Sequence, residues 1–321
     1  MYNNISRYTE QDIEKLLGEE LGPKYSEYRR LWNSVTVTNF PKFPIHIDFE
    51  LNDLCNQSCV MCPRNAAHHP KINYVLNTKA VLTLEAFKRI IDKGAKKGLL
   101  SINVGAFAEP LIHKDVFEMV KYAHAKGIVD SRLISNGLLL DRFSDKIFES
   151  GLVNLFISLD AYSKEKYQQI RGQGYDKIKT NLLNFLEEKT KRKRRLPITR
   201  VSFVDMPINK NERQAFIDFW RNKVDMIDIQ IYDDFNVDIN APFDKTIKKK
   251  WDCRSPWARV SVLANGNILP CCSFFGLNIP VGNIKEMTIE EAWNSAKINT
   301  IRNGILDDSV NNCSICQRTG A

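Results

Sequence analysis

From Ile45 onward, short apolar runs rich in β-branched residues alternate with longer stretches whose apolar positions recur every three or four residues. The first pattern has the period of a strand and the second that of a helix packed on one face. They predict strands near 45–50, 100–104, 131–134, 154–158, 198–204 and 227–231, and helices near 84–96, 115–126, 142–150, 175–191 and 211–222. Strands and helices that alternate with short connections form right-handed βαβ units on a parallel sheet. Ahead of them, Thr9-Glu10-Gln11-Asp12 with Ile13, Leu16 and Leu17 reads as a capped amphipathic helix, and Tyr25 to Trp32 as a second, aromatic-rich one. Residues 1–44 are too few for a domain and are expected to form a lid or strap. After Ile231 the pattern changes. A polar bridge (Asp233, Asp234, Asn236, Asp238, Asn240) leads to a hairpin turning at Asn265-Gly266 and a helix near 288–302.

Composition narrows the class without naming a function. The 321 residues suffice for one large α/β domain with a smaller appendage. No apolar run approaches the length of a membrane span, and the first thirty residues are polar and charged, so neither a span nor a signal peptide is expected and the location expected is cytoplasmic. The formal charge of +8 is concentrated in Lys189 to Arg195. A basic cluster at a helix C-terminus suits the macrodipole, and no interleaved aromatics accompany it, so it reads as a solvated helix end rather than a nucleic-acid surface.

The eight cysteines do change the picture. In a cytoplasmic chain, clustered thiols point to metal rather than disulfides. Cys55, Cys59 and Cys62 stand at C-x3-C-x2-C spacing on one loop directly after the strand expected near 45–50. Zinc and iron–sulfur clusters both take such ligands. Zinc would want a fourth ligand, which His68 or His69 could supply; a cubane on three cysteines keeps one iron open. In the tail, Cys253, Cys271, Cys313 and Cys316 come from a hairpin and a terminal C-x2-C knuckle, a set that suits zinc or a second cluster. Cys272 is left over, either a small buried apolar side chain or a redox group.

The first spacing resembles the signature of the radical S-adenosylmethionine (radical SAM) enzymes, and later motifs extend the likeness over residues 45–316. Gly105-Ala106-Phe107-Ala108-Glu109-Pro110 is similar to the family's G-E-P element, departing from it at Ala108. Ser135-Asn136-Gly137 resembles its T-N-G turn, and Ile157-Ser158-Leu159-Asp160-Ala161 precedes Tyr167 to Gly172. The resemblance implies a partial (β/α)6 barrel over 45–232 with its chemistry at the carboxyl ends of the strands, and a SPASM- or twitch-like auxiliary domain over 233–321. Cys55, Cys59 and Cys62 would hold the [4Fe-4S] cluster that binds S-adenosylmethionine. Met61 would lie against the adenine, Glu109 at the amino group, Ser135 and Asn136 in the cofactor turn, Ser158 near the ribose, and Arg171 at the carboxylate. Four tail cysteines fit the twitch form, with one auxiliary [4Fe-4S] cluster.

The implied chemistry is hydrogen-atom abstraction by a 5′-deoxyadenosyl radical, with flavodoxin or ferredoxin as reductant. A fully ligated second cluster suggests an electron sink, hence oxidation of an alcohol on a sugar or cyclitol, as in twitch-type aminocyclitol (2-deoxy-scyllo-inosamine) dehydrogenases. Cross-linking or epimerisation of a ribosomally made peptide is the alternative, and a non-catalytic metal scaffold the third. Arg200 and Asp205, flanking the fifth barrel strand, face the cavity or form structural ion pairs, the latter being the simpler account.

Overall fold

The structure, a computed structural model, describes residues 5–9, 11–65, 79–105, 107–232, 246–249 and 252–319. His68, His69, Ala106, Trp251 and the polar bridge at 233–240 lie outside the described residues.

Its strands are β1 (Ile5–Tyr8), β2 (His46–Phe49), β3 (Ser101–Val104), β4 (Asp130–Ser135), β5 (Asn154–Ser158), β6 (Ile198–Asp205), β7 (Met226–Ile231), β8 (Arg259–Val262), β9 (Asn267–Leu269) and β10 (Gly282–Asn283). Its helices are α1 (Ile13–Leu21), α2 (Pro23–Ser34), α3 (Leu84–Ala95), α4 (Val116–Ala125), α5 (Ser144–Glu149), α6 (Lys164–Arg171), α7 (Tyr175–Lys191), α8 (Arg213–Trp220), α9 (Ser255–Ala258), α10 (Ile289–Trp293), α11 (Ala296–Leu306) and α12 (Asn311–Thr319). The strands form one open sheet in the order β1-β7-β6-β5-β4-β3-β2-β8-β9-β10. Strands β2 to β7 are parallel throughout, the arrangement of a partial barrel that does not close. All six fall within two residues of the expected bounds, as do the five helices between them.

The structure departs from the expected pattern in several places, and it adds a helix, α6, between β5 and α7. β1 pairs antiparallel with β7 and covers what would be an open edge. β8 pairs in parallel with β2 in the register His46 to Arg259, so the tail extends the sheet instead of standing apart from it. The helix expected near 288–302 is two helices, because the Ser295 side chain accepts from the Ile298 N–H and starts α11 anew. The terminal C-x2-C lies on α12 rather than in a knuckle.

The two faces of the sheet differ in chemistry. Ile47, Phe49, Ile102, Val104 and Leu133 point to the helices and are fully buried against residues such as Phe87, Ile91 and Val120. Each such side chain contributes about 1.5–3 kcal/mol. The alternate positions, His46, Asp48, Ser101, Asn103 and Asp130, are buried and polar. They are held by mutual bonds, among them His46 Nδ1 to Ser101 Oγ at 2.8 Å and His46 Nε2 to Asp48 at 3.1 Å.

α1 and α2 close the floor. Leu16, Leu17, Tyr25 and Tyr28 pack on Leu100, Val153, Ile198 and Met226, which stand at the amino ends of β3, β5, β6 and β7. The helices therefore underlie the sheet at the end opposite the cysteine loop. Among the described residues no helix is long and apolar enough to cross a membrane. In the basic run at the end of α7, Lys189 pairs with Asp225, Arg192 with Asp145 and Glu188, and Arg195 with Glu19 and Glu20.

Candidate cluster and cofactor sites

The loop after β2 owes its shape to its neighbours. Asn52 Oδ1 accepts from the Leu54 N–H at 2.7 Å and turns the chain out of the strand. Asn52 Nδ2 donates to the Glu109 carbonyl, and the Glu109 N–H returns a bond to the Leu54 carbonyl, both near 3 Å. Asn136 Nδ2 donates to Asn56 Oδ1 at 2.7 Å, and the Val60 N–H donates to the Ile170 carbonyl at the end of α6. The loop is thus tied to the ends of β3, β4 and α6. Cys55 is exposed, Cys59 buried and Cys62 between them, with Met61 half-buried in the turn before Cys62.

Arg171 at the end of α6 faces this loop. Its Nε donates to Asp160 at 2.7 Å, and Nη2 binds the same carboxylate oxygen. Nη1 is left 3.7 Å from Cys59 Sγ and 3.5 Å from Gln57 Oε1. Gln57 Nε2 in turn donates to the Tyr167 hydroxyl at 2.6 Å. Asp160 has a left-handed backbone (φ 61°), a conformation that Asp tolerates better than most residues. It is held there by three contacts: its carboxylate takes Arg171 and the Val204 N–H, and its carbonyl takes Asn209 Nδ2. Burial pushes the Cys59 thiol up, with Arg171 pulling against it and Cys62 adding to it. Cys62 is likewise raised by burial and by Cys55. Three soft donors that repel one another as thiolates, with one guanidinium beside them, form a donor set suited to a cationic iron–sulfur core.

Glu109, Ser135 and Asn136 form one unit. The buried Glu109 carboxylate accepts from Ser135 Oγ and the Asn136 N–H at 2.8 Å and from the Leu111 N–H at 3.0 Å, while burial pushes its pKa up. Gly105 is positive in φ, and a Cβ there would stand 2.6 Å from Pro110, so this turn needs glycine. At Ala108, where the resemblance lacks its glycine, the backbone is held by Glu50, whose carboxylate accepts the Ala108 N–H at 3.1 Å and also the Phe107 N–H. Ser158 is half-buried at the end of β5, in register with Ser202.

The sequence reading missed Glu50, Gln57, Tyr167 as a loop anchor, and Asp160. The signal for Asp160 was a buried acid at a strand end eleven residues before an arginine. Nothing in the spacing marks Glu50. Arg200 pairs with Asp228 at 2.7 Å and Asp205 with Arg213 at 3.3 Å, so both make structural ion pairs, though Arg200 also lines a cavity.

The second cysteine set converges from three elements on one cavity lined by Cys253, Cys271, Cys313 and Cys316. Cys253 precedes α9, Cys271 follows β9, and Cys313 and Cys316 share one face of α12 at i, i+3 spacing. Asn312 Nδ2 donates to the Phe275 carbonyl at 3.0 Å and fixes the helix over the cavity. A Cβ on Gly276 would come within 2.7 Å of Cys271 Sγ, so the site keeps that space clear. Burial raises the Cys271 and Cys313 thiols, and neighbouring cysteines raise them further. Cys272 does not line this cavity; Arg259 Nη1 donates to its sulfur at 3.4 Å.

Comparison with known proteins agrees with this geometry. The model of the radical SAM superfamily matches residues 49–219, and that of the SPASM iron-sulfur cluster-binding domain matches residues 253–318. The chain is 28% identical over 130 residues to a GTP 3',8-cyclase of Alkaliphilus metalliredigens, covering 40% of this chain and 39% of that protein. It is 26% identical over 204 residues to a probable GTP 3',8-cyclase of Methanococcus vannielii, covering 61% and 63%. The chain thus spans less than two thirds of the length of these curated relatives. Among solved structures, Streptococcus suis SuiB bound to S-adenosylmethionine is similar in fold, with a TM-score of 0.62 at 14% identity over 91% of this chain and 76% of SuiB. BtrN in complex with AdoMet and 2-DOIA gives 0.52 at 18% identity over 88% of this chain and 97% of BtrN. The chain belongs to the radical SAM superfamily, with a [4Fe-4S] cluster that binds S-adenosylmethionine in its parallel-sheet domain and an auxiliary iron–sulfur cluster in its SPASM domain.

Proposed function

We propose that this enzyme oxidises an alcohol carbon on a small sugar- or cyclitol-type substrate, the auxiliary cluster taking the electron. The observation that carries this reading is one cavity lined by Cys253, Cys271, Cys313 and Cys316: four such thiolates would ligate every iron of a cubane and leave no coordination position for substrate. A fully ligated centre of that kind suits electron transfer. The extent of the likeness to BtrN supports it too, since that structure, which holds 2-DOIA, is matched over 97% of its length.

In this reading residues 1–44 are a strap under the sheet, 45–232 the catalytic domain and 233–321 the auxiliary domain. When bound, the loop cluster and S-adenosylmethionine supply a 5′-deoxyadenosyl radical that removes a hydrogen atom. Cys55, Cys59 and Cys62 would hold that cluster. Met61 would pack on the adenine and Ser158 would lie near the ribose. Glu109, oriented by Ser135 and Asn136, would receive the amino group. Arg171, oriented by Asp160, would direct its Nη1 to the carboxylate end of the cofactor beside Cys59. The chain's task is to fix the scissile C–H bond against the radical and to exclude water.

The second reading is peptide modification, favoured by one observation: SuiB, solved bound to its precursor peptide SuiA, gives a TM-score of 0.62 over 92% of this chain. The test is turnover with candidate alcohols deuterated at the reacting carbon. The dehydrogenase reading expects a product lighter by two hydrogen atoms, deuterium in 5′-deoxyadenosine, and one S-adenosylmethionine consumed per product. A product of unchanged mass, or regeneration of the cofactor, would move the peptide reading to first place.

A further inference from the structure

A second cavity, of about 300 Å³, lies at the floor of the sheet, between α1 and α2 and the amino halves of β4 to β7. It reaches from the amino ends of the strands toward their middle, and neither the loop cysteines nor Glu109, Ser135, Asn136 or Arg171 lines it. Four arginines line it: Arg7, Arg29, Arg132 and Arg200.

The partners of these cations are unequal. Arg29 is paired with Glu14 at 2.6 Å. Arg7 and Arg200 share a single carboxylate, the fully buried Asp228, at 2.8 and 2.7 Å. Arg132, half-buried on the inner face of β4, has no hydrogen-bond or ion-pair partner among the described residues. Three carboxylates also line the cavity, and each is already engaged: Glu14 by Arg29, Asp12 by the Lys15 N–H of α1, and Asp130 by Ser101 Oγ and Asn154 Nδ2. The Arg200 guanidinium stands 3.5 Å from the centroid of the Phe156 ring, which fixes its position. Burial pushes Arg200 well below the usual arginine value, and the like charges of Arg132 and Arg7 add to this against Asp228. A half-buried guanidinium with no protein partner, beside a second one, is free to form charge-assisted bonds to an anion.

We propose that this cavity is a second ligand site, which takes a small molecule bearing a carboxylate or phosphate, with Arg132 and Arg200 as its anion clamp. Phe156 and Tyr25 supply apolar wall beside the clamp, and Asn154 a polar rim. Since the cavity lies between the N-terminal helices and the sheet, a bound anion joins the two. The proposal does not depend on which substrate the radical site oxidises.

The test is calorimetric titration of the reconstituted holoenzyme with inorganic phosphate and, separately, malonate, at constant ionic strength. Wild type is expected to bind one anion per chain saturably; the tighter of the two probes identifies phosphate or carboxylate as the natural group. Arg132→Met should weaken binding about ten- to hundredfold, the loss of charge-assisted bonds, and Arg132→Lys, which keeps charge without the fork, should fall between. S-adenosylmethionine affinity should stay unchanged in both. Because Arg132 has no partner, Arg132→Met should unfold at the wild-type midpoint or above it without ligand. Absence of saturable binding by either probe, equal binding in Arg132→Met, or a midpoint several degrees lower in unliganded Arg132→Met and Arg132→Lys would overturn the proposal.

Discussion

The two cysteine sites solve different problems with the same side chain. The loop after β2 offers three thiols within eight residues, one of them exposed, and hangs from its neighbours by single hydrogen bonds. The tail gathers four thiols from distant parts of the chain onto the lining of one cavity, on packed elements. A site one ligand short leaves a metal position for a cofactor; a site with all four closes it off. An open site needs a mobile rim and a nearby cation to receive a charged ligand. A closed one needs only rigidity.

The largest effect that would separate the sites is on cofactor cleavage. Cys55→Ala, Cys59→Ala and Cys62→Ala are each expected to reduce 5′-deoxyadenosine formation to background, read by chromatography after anaerobic reconstitution and reduction. Cys271→Ala should instead keep that cleavage, lose about four irons per chain, and abolish substrate oxidation. Parallel loss of cleavage in both groups would erase the distinction.

Next comes the support of the loop. Asp160→Asn leaves Arg171 buried beside the loop with its ion pair broken, and is expected to cost about 3–5 kcal/mol in denaturant unfolding as well as weaken cofactor binding. Gly276→Ala puts a methyl group against Cys271 and should cost about 1–3 kcal/mol, lowering auxiliary iron while leaving cleavage intact. Smallest of all is Cys272→Ala, whose iron content should match wild type; a loss of about four irons would make Cys272 a ligand in place of Cys271.

What the sequence made legible follows the same division. The six strands and five of the six helices between them could be read from their periods, α6 being the exception, and the loop cysteines because all three lie in one short segment. The four tail cysteines were legible as a set, but not their setting. β8 joins β2 through backbone bonds that no side-chain pattern announces, and α12 is too short and polar for its period to stand out. β1 is a four-residue strand whose placement depends on the free edge of β7. Within the site, Glu109 and Arg171 were recognisable by motif. Their partners were not: Asp160 acts through a left-handed backbone, and Glu50 through two main-chain N–H groups across the sheet. Contacts made by the backbone of a distant loop have no sequence spacing to betray them.

The claim that one site is open and the other closed is tested most directly by electron paramagnetic resonance of reduced protein with and without S-adenosylmethionine. Wild type and the triple variant Cys55→Ala, Cys59→Ala, Cys62→Ala would be compared alongside their iron content. The wild-type spectrum should change when the cofactor is added, and the triple variant should keep about four irons with a spectrum that does not respond. A triple variant whose remaining signal still shifts with S-adenosylmethionine, or stoichiometric zinc in place of iron at either site, would contradict the account.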